Sequence, residues 1–435
     1  MSVGAAAAML YLLLQAFKTW LIEHDLYRFA GVLDQLQFRA LVASAISFVI
    51  VLGFGRRTIA WLVRRKIGDT GLTDSQALQS TSNAKANTPT MGGVLIVGAI
   101  VGSVLLLGNL REMYVLLGLV VVLWLALLGG IDDWLKLTAK TRGGGRQGLY
   151  AWEKLVFQLG LGLLVGYFLF TRAPAVDPST PGAPADVRHV LNLPFQKTYV
   201  DTDRIKPVQP READGAAAVP APPMTGARLA PHEREMVVNP AVLTLGMPLF
   251  VLIATLMVAG MSNAVNITDG MDGLAGGISA AVTFGIFVLA LVAGDEDAAK
   301  YLLIPHLPGS GELAVLAGAT AGACLGFLWW NCSPAQVFMG DTGALSLGGV
   351  IGYVAVAVRQ EFVVLLMCGV FLMEISSVVL QVGFFKATGG KRIFRCAPYH
   401  HHLQIGGWAE QQVVSRLWIM SIILVIMALA SIKLR

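Results

Sequence analysis

The fold class is decided by the stretch MYVLLGLVVVLWLALLGGI, residues 113–131, which contains no charged residue. A helix needs about 20 residues to cross the apolar core of a bilayer, so this stretch predicts a transmembrane span. Nine further runs have a similar length and character, and together the ten predict an all-α polytopic membrane protein. The predicted spans are 40–62, 91–110, 113–131, 153–171, 241–262, 273–294, 313–331, 342–358, 362–384 and 414–432.

The composition leads to the same class. Of the 435 residues, 55% are hydrophobic and only 14% are charged, whereas a soluble domain has roughly 25% charged residues. A soluble enzyme, a disordered tail and a nucleic-acid reader are therefore excluded. The net charge of +5 comes mostly from short loops between apolar runs, as the positive-inside rule requires. The four cysteines have no paired spacing, which argues against a disulfide framework or a zinc site.

The charges of the loops predict the orientation. The loops 63–90, 132–152 and 385–413 are rich in lysine and arginine, while the loop 295–312 is acidic. Since basic loops remain on the cytoplasmic side, the odd-numbered connections are predicted to be cytoplasmic. With ten spans, both termini then lie on the outer side.

Two segments are predicted to lie outside the helical bundle. Residues 1–37 form an N-terminal interfacial segment, because the apolar run there is too short for a span and acidic residues follow it. Residues 38–435 form the integral membrane domain. It is interrupted on the outer side by a long loop, 171–240, which contains PSTPGAPAD and AAAVPAPPM and is predicted to be disordered or loosely ordered.

Polar residues in an apolar chain are costly and by default mark functional sites. Asp132 and Asp133 directly follow the third predicted span and could hold magnesium or act beside a phosphate; the alternative is a charged helix end. The fifth span closes on NAVNITDGMDGL, residues 263–274, which is dense in oxygen ligands but lacks the EF-hand spacing. The alternative there is a simple turn between helices.

Two further clusters follow the seventh and ninth spans. In PAQVFMGDTG, residues 334–343, glycines flank Asp341, which suits either a cation ligand or a helix cap. In APYHHH, residues 397–402, three histidines favour contacts to phosphate over zinc, because adjacent side chains diverge. A chance surface tract is the remaining interpretation of the histidines.

Two weaker signals complete the set. The stretch TPTMGG, residues 88–93, follows Lys85 and suits a close approach of the backbone to a ligand. Glu374 and Gln381 share one face of the ninth predicted helix, where they either bind a ligand or hold helices together. All these loops lie on the same side of the predicted bundle. Carboxylates balanced by lysines and histidines suit a complex of Mg²⁺ with a diphosphate.

The motifs DDWLK, NAVNITDGMDGL, PAQVFMGDTG and APYHHH, in this order, resemble the polyprenyl-phosphate phosphoglycosyl transferases of bacterial cell envelopes. The triple histidine followed by GGWAE is most similar to the phospho-N-acetylmuramoyl-pentapeptide transferase family. The resemblance covers nearly the whole chain from about residue 38, although the loop 171–240 is longer than is usual in the family. It implies a bacterial inner-membrane enzyme, a homodimer, with its active site on the cytoplasmic face.

The resemblance also implies the reaction. UDP-N-acetylmuramoyl-pentapeptide and undecaprenyl phosphate would give lipid I and UMP, with Mg²⁺ required. Asp341 resembles the metal ligand, Asp132 the acid that deprotonates the lipid phosphate or attacks the diphosphate, and Asp133 its positioning neighbour. The predicted catalytic residues are these three acids and His400, which resembles a family residue near the diphosphate. The predicted substrate-binding residues are Lys85, Asp269, Asp272, Asn331 and Phe338 at the nucleoside, Lys136, Lys154 and His401 near the diphosphate, and also Asn266 and Gln381.

Three alternatives remain open at this point. A sister transferase would use UDP-N-acetylglucosamine, and only the histidine motif argues against it. A transporter would also have ten spans and buried acids, but its polar residues would gather at the midplane rather than at one interface. A structural scaffold would have no use for four polar clusters on one side.

Overall fold

The structure is a computed structural model that describes residues 10–64, 88–139, 148–173, 187–194, 196–201 and 236–433. Nine of the ten predicted spans each overlap one helix, and the span 362–384 is divided at Cys368 into two helices, which confirms the all-α class. Three short helices precede the first span, and others lie in the connections 295–312 and 385–413. The helices are α1 Leu10–Ala16, α2 Lys18–Glu23, α3 Tyr27–Ala30, α4 Leu36–Arg64, α5 Gly93–Leu107, α6 Met113–Thr138, α7 Ala151–Arg172, α8 Met247–Thr268, α9 Leu274–Gly294, α10 Glu296–Leu302, α11 Leu313–Asn331, α12 Gly340–Ala357, α13 Glu361–Met367, α14 Gly369–Ala387, α15 Tyr399–Ile405 and α16 Glu410–Lys433.

Helix lengths separate α5 from the other predicted spans. In the described ranges, nine helical segments are long and apolar enough to cross a membrane. The helix α5 has 15 residues, which extend about 22 Å at 1.5 Å per residue. It is shorter than the predicted span 91–110 because Thr88–Gly92 instead forms a loop that bonds to residues 338–339.

Two predicted helix ends are wrong, and both errors concern the polar clusters. The helix α6 continues to Thr138, so Asp132 and Asp133 lie on it rather than in the following loop. Likewise, α8 continues to Thr268 and includes Asn266. The end of an apolar run in the sequence indicates where contact with lipid ends. The helix itself continues further when its polar side chains bond to neighbouring elements.

The outer loop 171–240 is more ordered at its two ends than predicted. The strands β1 Val190–Leu191 and β4 Leu243–Thr244 pair antiparallel, as do β2 Tyr199–Asp201 and β3 Met236–Val238. The Tyr199 hydroxyl accepts a hydrogen bond of 3.1 Å from the His306 amide, which fastens β2 to the next outer loop. Both proline-rich stretches quoted above lie outside the described residues.

The helix α12 forms the centre of the bundle. It packs against α8, α6 and α5, and its residues from Asp341 to Ala357 are all buried. Its many glycine and alanine residues allow close helix packing, which is typical of membrane interiors. The first turn of α12, which carries Asp341, is thereby held at a fixed position at one end of the bundle.

A buried ion pair joins three elements at the opposite end. The Arg39 guanidinium donates to both carboxylate oxygens of Glu312, at 2.9 and 2.5 Å, and to the Leu107 carbonyl at 3.0 Å. The amide of Asn109 donates to the same carboxylate at 3.1 Å. The pair therefore connects α4, the end of α5 and the start of α11.

We expect Glu312→Ala to destabilise the protein by about 3 kcal/mol, because it leaves the buried Arg39 charge without its partner. The measurement is thermal unfolding of the purified protein in detergent. Glu296→Ala is the matched control, since Glu296 forms an exposed pair with Lys300 and such pairs contribute at most about 1 kcal/mol. Equal shifts in Tm for the two variants would contradict the assignment of a structural role to the Arg39 pair.

Candidate active site

Two carboxylates and two lysines from three helices, α6, α7 and α12, meet at the end of the bundle where the odd-numbered loops lie. The ammonium of Lys154, in the first turn of α7, lies 2.8 Å from Asp132 Oδ2 and 2.6 Å from Asp341 Oδ2. The Lys136 ammonium lies 2.7 Å from Asp132 Oδ2 and 3.3 Å from Asp341 Oδ1. The Leu149 amide also donates to Asp132 Oδ1 at 2.7 Å. Both aspartates are buried, so two cations compensate their charge where water cannot.

Asp133 has a different environment from its neighbour Asp132. Its oxygens accept hydrogen bonds from the amides of Asp341 and Thr342, at 3.1 and 3.0 Å, and from the Thr342 hydroxyl at 2.7 Å. It therefore caps the N-terminus of α12 from another helix, which stabilises a negative charge there. Gly340 is required at this contact: its φ is +72° and an added Cβ would lie 2.8 Å from Asp133 Oδ2.

We expect Asp133→Asn to destabilise the fold by about 1–3 kcal/mol, because the new amide nitrogen faces donors and leaves at least one of them unsatisfied. The measurement is Tm in detergent, compared with Asp297→Asn at an exposed position. An unchanged Tm for Asp133→Asn would show that the cap does not hold α12.

The three acids form a candidate metal centre. One ligand oxygen of each of Asp132, Asp133 and Asp341 lies within 4.8 Å of the others, and all three residues are buried. Carboxylate oxygens are the ligands that Mg²⁺ prefers. The three donors to Asp133 all belong to the first turn of α12, whereas Asp132 and Asp341 mainly contact lysine ammonium groups, which are on flexible side chains and can move away. Asp132 and Asp341 are therefore the better ligands of the three.

The turn after α8 lies beside this centre. The Asn266 side chain donates to Asp341 Oδ1 at 3.0 Å, and Asp272 Oδ2 accepts from the Ala335 amide at 3.1 Å. The Asn331 side chain accepts from the Gly273 amide at 3.0 Å and donates to the Val337 carbonyl at 2.9 Å. In this structure Asp272 and Asn331 thus hold the turn against the loop 332–339.

Asp269, the residue that ends α8, has an altered acidity. Burial, together with the nearby carboxylates of Asp341 and Asp133, raises its pKa to about 7. Its carboxyl group is thus partly protonated at neutral pH. In that form it can donate a hydrogen bond, for example to a carbonyl oxygen of a ligand.

The loop that opens α5 pairs with the loop before α12. The amide of Gly92 donates to the Phe338 carbonyl, and the amide of Phe338 donates to the Pro89 carbonyl, both at 2.8 Å. Phe338 is half-buried in this arrangement. Lys85 lies outside the described residues.

The histidine motif forms the short helix α15 beside the turn after α8. His400 is buried, and its Nδ1 and backbone amide lie 3.1 and 3.2 Å from Glu374 Oε2. An added Cβ on Gly270 would lie 2.4 Å from His400 Nε2, so the imidazole contacts this turn directly. His401 is half-buried, with its ring centroid 4.3 Å from that of His400.

The structure thus brings Asp132, Asp133, Lys136, Lys154, Asn266 and Asp341 into one cluster, and His400 of α15 contacts the adjacent turn. Gln381 lies apart from this cluster: its carboxamide oxygen accepts from the amides of Ile393 and Phe394 at 3.0 and 2.9 Å. Sequence reasoning missed Glu410, which accepts from the Asp272 amide at 3.1 Å. It also missed the contact between Glu374 and His400, although the burial of Glu374 in an apolar helix was a signal.

Comparison with known proteins defines the class. The sequence pattern of glycosyl transferase family 4 matches residues 215–359. A signature described as phospho-N-acetylmuramoyl-pentapeptide-transferase signature 1 matches residues 85–97, the loop that opens α5. These two matches indicate a glycosyl transferase, and the helical bundle indicates that it is a membrane protein.

Several curated relatives are similar over nearly their full length, and each is named phospho-N-acetylmuramoyl-pentapeptide-transferase. The protein of Oleidesulfovibrio alaskensis is 38% identical over 95% of this chain and 100% of its own length. That of Flavobacterium johnsoniae is 36% identical over 93% and 96%, respectively. That of Desulfotalea psychrophila is 36% identical over 98% and 100%. This chain belongs to the phospho-N-acetylmuramoyl-pentapeptide-transferase family.

Proposed function

We infer that this protein transfers phospho-N-acetylmuramoyl-pentapeptide from its UDP conjugate to undecaprenyl phosphate, forming lipid I and UMP in peptidoglycan synthesis. Family membership supports the reaction. In the structure, the observation that supports this reaction is the contact of Lys154 with two buried carboxylates from separate helices. Such a cluster, at the end of a transmembrane bundle, suits a reaction between a polar nucleotide and a lipid phosphate. A sister transferase using UDP-N-acetylglucosamine is not favoured by the comparisons.

We propose that the site faces the cytoplasm across the bacterial inner membrane. The site is formed by the C-terminal ends of α6 and α8, the first turns of α7 and α12, and α15, all at the same end of the bundle. The connections after α6 and α14, at this end, are among the lysine- and arginine-rich loops that the positive-inside rule assigns to the cytoplasm. The nucleotide substrate is cytoplasmic, whereas undecaprenyl phosphate enters from the bilayer.

We propose Asp341 and Asp132 as ligands of Mg²⁺. Carboxylate oxygens are suitable ligands for this ion. The two lysine ammonium groups beside them suit the negative charge of a bound diphosphate. When bound, the ion would neutralise phosphate charge during the transfer.

The residues of the chain then have separate tasks. In the reaction an oxygen of the lipid phosphate bonds to the β-phosphorus, and the bond from that phosphorus to the bridging oxygen breaks to release UMP. Lys136 and Lys154 would offset the charge of the diphosphate, which favours the transition state. Lys85, Asp269, Asp272, Asn331 and Phe338 are proposed around the nucleoside, and Phe338 as a ring that stacks on the base.

The charge of the acceptor favours direct attack by the lipid phosphate over a covalent intermediate on Asp132. A phosphate monoester is largely anionic at neutral pH (second pKa about 6), so the attacking oxygen needs no base. Trapping of a phosphosugar on Asp132 in the absence of lipid acceptor would contradict direct attack.

The experiment that tests the function uses the purified protein in detergent with undecaprenyl phosphate and Mg²⁺. UDP-N-acetylmuramoyl-pentapeptide and UDP-N-acetylglucosamine are supplied separately, and UMP release and the lipid-linked product are measured. We expect turnover with the muramoyl substrate alone. Turnover with the glucosamine substrate instead would place the protein among the sister transferases, and no turnover with either would refute the proposal. Light scattering of the same sample tests the proposed homodimer.

A further inference from the structure

The His400 side chain has two ring nitrogens in unlike surroundings. Its Nδ1 lies 3.1 Å from Glu374 Oε2. Among the described residues, its Nε2 has no hydrogen-bond partner although it is buried, and the same holds for Glu374 Oε1. Buried polar atoms normally find partners. The imidazole therefore has a hydrogen-bond partner at Nδ1 and can bind a further group at Nε2.

The direction of the free nitrogen is set by the turn after α8. An added Cβ on Gly270 would lie 2.4 Å from His400 Nε2 and 3.5 Å from His401 Nε2. Only glycine leaves room for the imidazole edge at this point. Asp269 and Asp272, which flank this glycine, are the residues proposed beside the nucleotide. The Nε2 atom therefore faces the turn that carries residues proposed to bind the nucleotide.

Glu374 is well placed to control this orientation. Its Oε2 also lies 3.2 Å from the His400 backbone amide, so one carboxylate oxygen fixes both the start of α15 and the ring. A carboxylate that accepts from Nδ1–H selects that tautomer and stabilises the imidazolium when it forms, as in hydrolase triads. The imidazolium presents an N–H at Nε2, which is the donor that a phosphate oxygen requires.

We propose that Glu374 is a positioning residue that orients His400 so that its Nε2 binds the diphosphate of the nucleotide substrate. The proposal rests on the proposed function, because it takes the ligand to be a uridine diphosphate conjugate. Glu374 itself touches no substrate in this arrangement. Its effect passes through the imidazole.

The test compares binding of uridine and of UDP, each with Mg²⁺, by calorimetry on the full-length protein. Glu374→Gln keeps an acceptor for Nδ1–H but removes the charge, and Glu374→Ala removes both. We expect the affinity for UDP to fall about 10-fold in Glu374→Gln and up to about 100-fold in Glu374→Ala, as for other second partners of a ligand-binding histidine. The affinity for uridine should remain within a factor of two. Equal weakening of uridine and UDP would indicate a merely structural role and would overturn the proposal, as would unchanged affinities in folded variants.

A double-mutant cycle tests whether Glu374 acts through His400. The second substitution in the cycle is His400→Gln, because the amide of glutamine can replace Nε2. In the His400→Gln protein, adding Glu374→Ala should have no further effect on UDP affinity. Additive losses would contradict the proposal. Ser377→Ala is the matched control, since Ser377 lies buried one turn from Glu374 and bonds only to its backbone carbonyl. Should the wild type neither bind UDP nor release UMP, the proposed function fails; normal turnover with insensitive Glu374 variants refutes the positioning role alone.

Discussion

Asp341→Asn is expected to lower kcat/KM for UMP release by about 10³-fold or more, at the upper end of the effect of single electrostatic groups. The substitution keeps the shape of the side chain and an acceptor for the Asn266 amide, but it removes the charge that faces Lys154. It also removes a proposed ligand of Mg²⁺. The measurement is initial-rate UMP release over a range of Mg²⁺ concentrations.

The control for Asp341→Asn must exclude a folding defect. Because the isosteric side chain still fits the first turn of α12, we expect Tm to change little. Wild-type activity in a folded Asp341→Asn protein would remove Asp341 from the proposed catalytic site. A rate that recovers fully at high Mg²⁺ would instead restrict its role to affinity for the metal.

Lys154→Met should reduce kcat/KM by about 10²- to 10³-fold. Methionine keeps an unbranched apolar side chain of similar length but leaves Asp132 and Asp341 without the ammonium that lies within 2.8 Å of both. The two carboxylates then repel each other, and the charge of the diphosphate loses a counterion. Steady-state UMP release measures this loss.

Lys136→Met is the matched comparison for Lys154→Met. Its ammonium contacts Asp132 at 2.7 Å but lies 3.3 Å from Asp341, and its side chain is about half exposed. Screening by water weakens such a contact, so we expect the smaller reduction here, about 10-fold. A larger effect for Lys136 than for Lys154 would contradict the assignment of Lys154 as the bridge.

The sequence was sufficient for the class of fold and for the residues that meet in the candidate site, because both follow from strong local signals. Uncharged runs of about 20 residues are read directly as spans. The separate roles of Asp132 and Asp133 could not be predicted, since adjacent residues on a helix point about 100° apart and meet different neighbours. Asp132 contacts the lysines, while Asp133 caps α12, whose first turn is far away in the chain.

Long-range contacts account for most of what sequence reasoning missed. Glu374 and His400 lie on different elements, and no periodicity relates them. The sequence paired Glu374 with Gln381 because they share a helix face. Gln381 instead bonds to the chain after α14, at Ile393 and Phe394. A shared helix face thus predicts the direction in which two side chains point, but not the residues that they contact.

The outer hairpin also makes this protein convenient to engineer. Asp201 pairs with Met236 at the open end of β2 and β3, and paired residues in an antiparallel ladder lie about 5 Å apart. Asp201 and Met236, which flank segment 202–235 in the sequence, therefore lie side by side at the end of the bundle away from the carboxylate cluster. A folded reporter whose own termini are adjacent can be spliced there in place of that segment. Such a fusion would show on which side of the membrane the hairpin lies in intact cells, while the helical bundle keeps its native sequence.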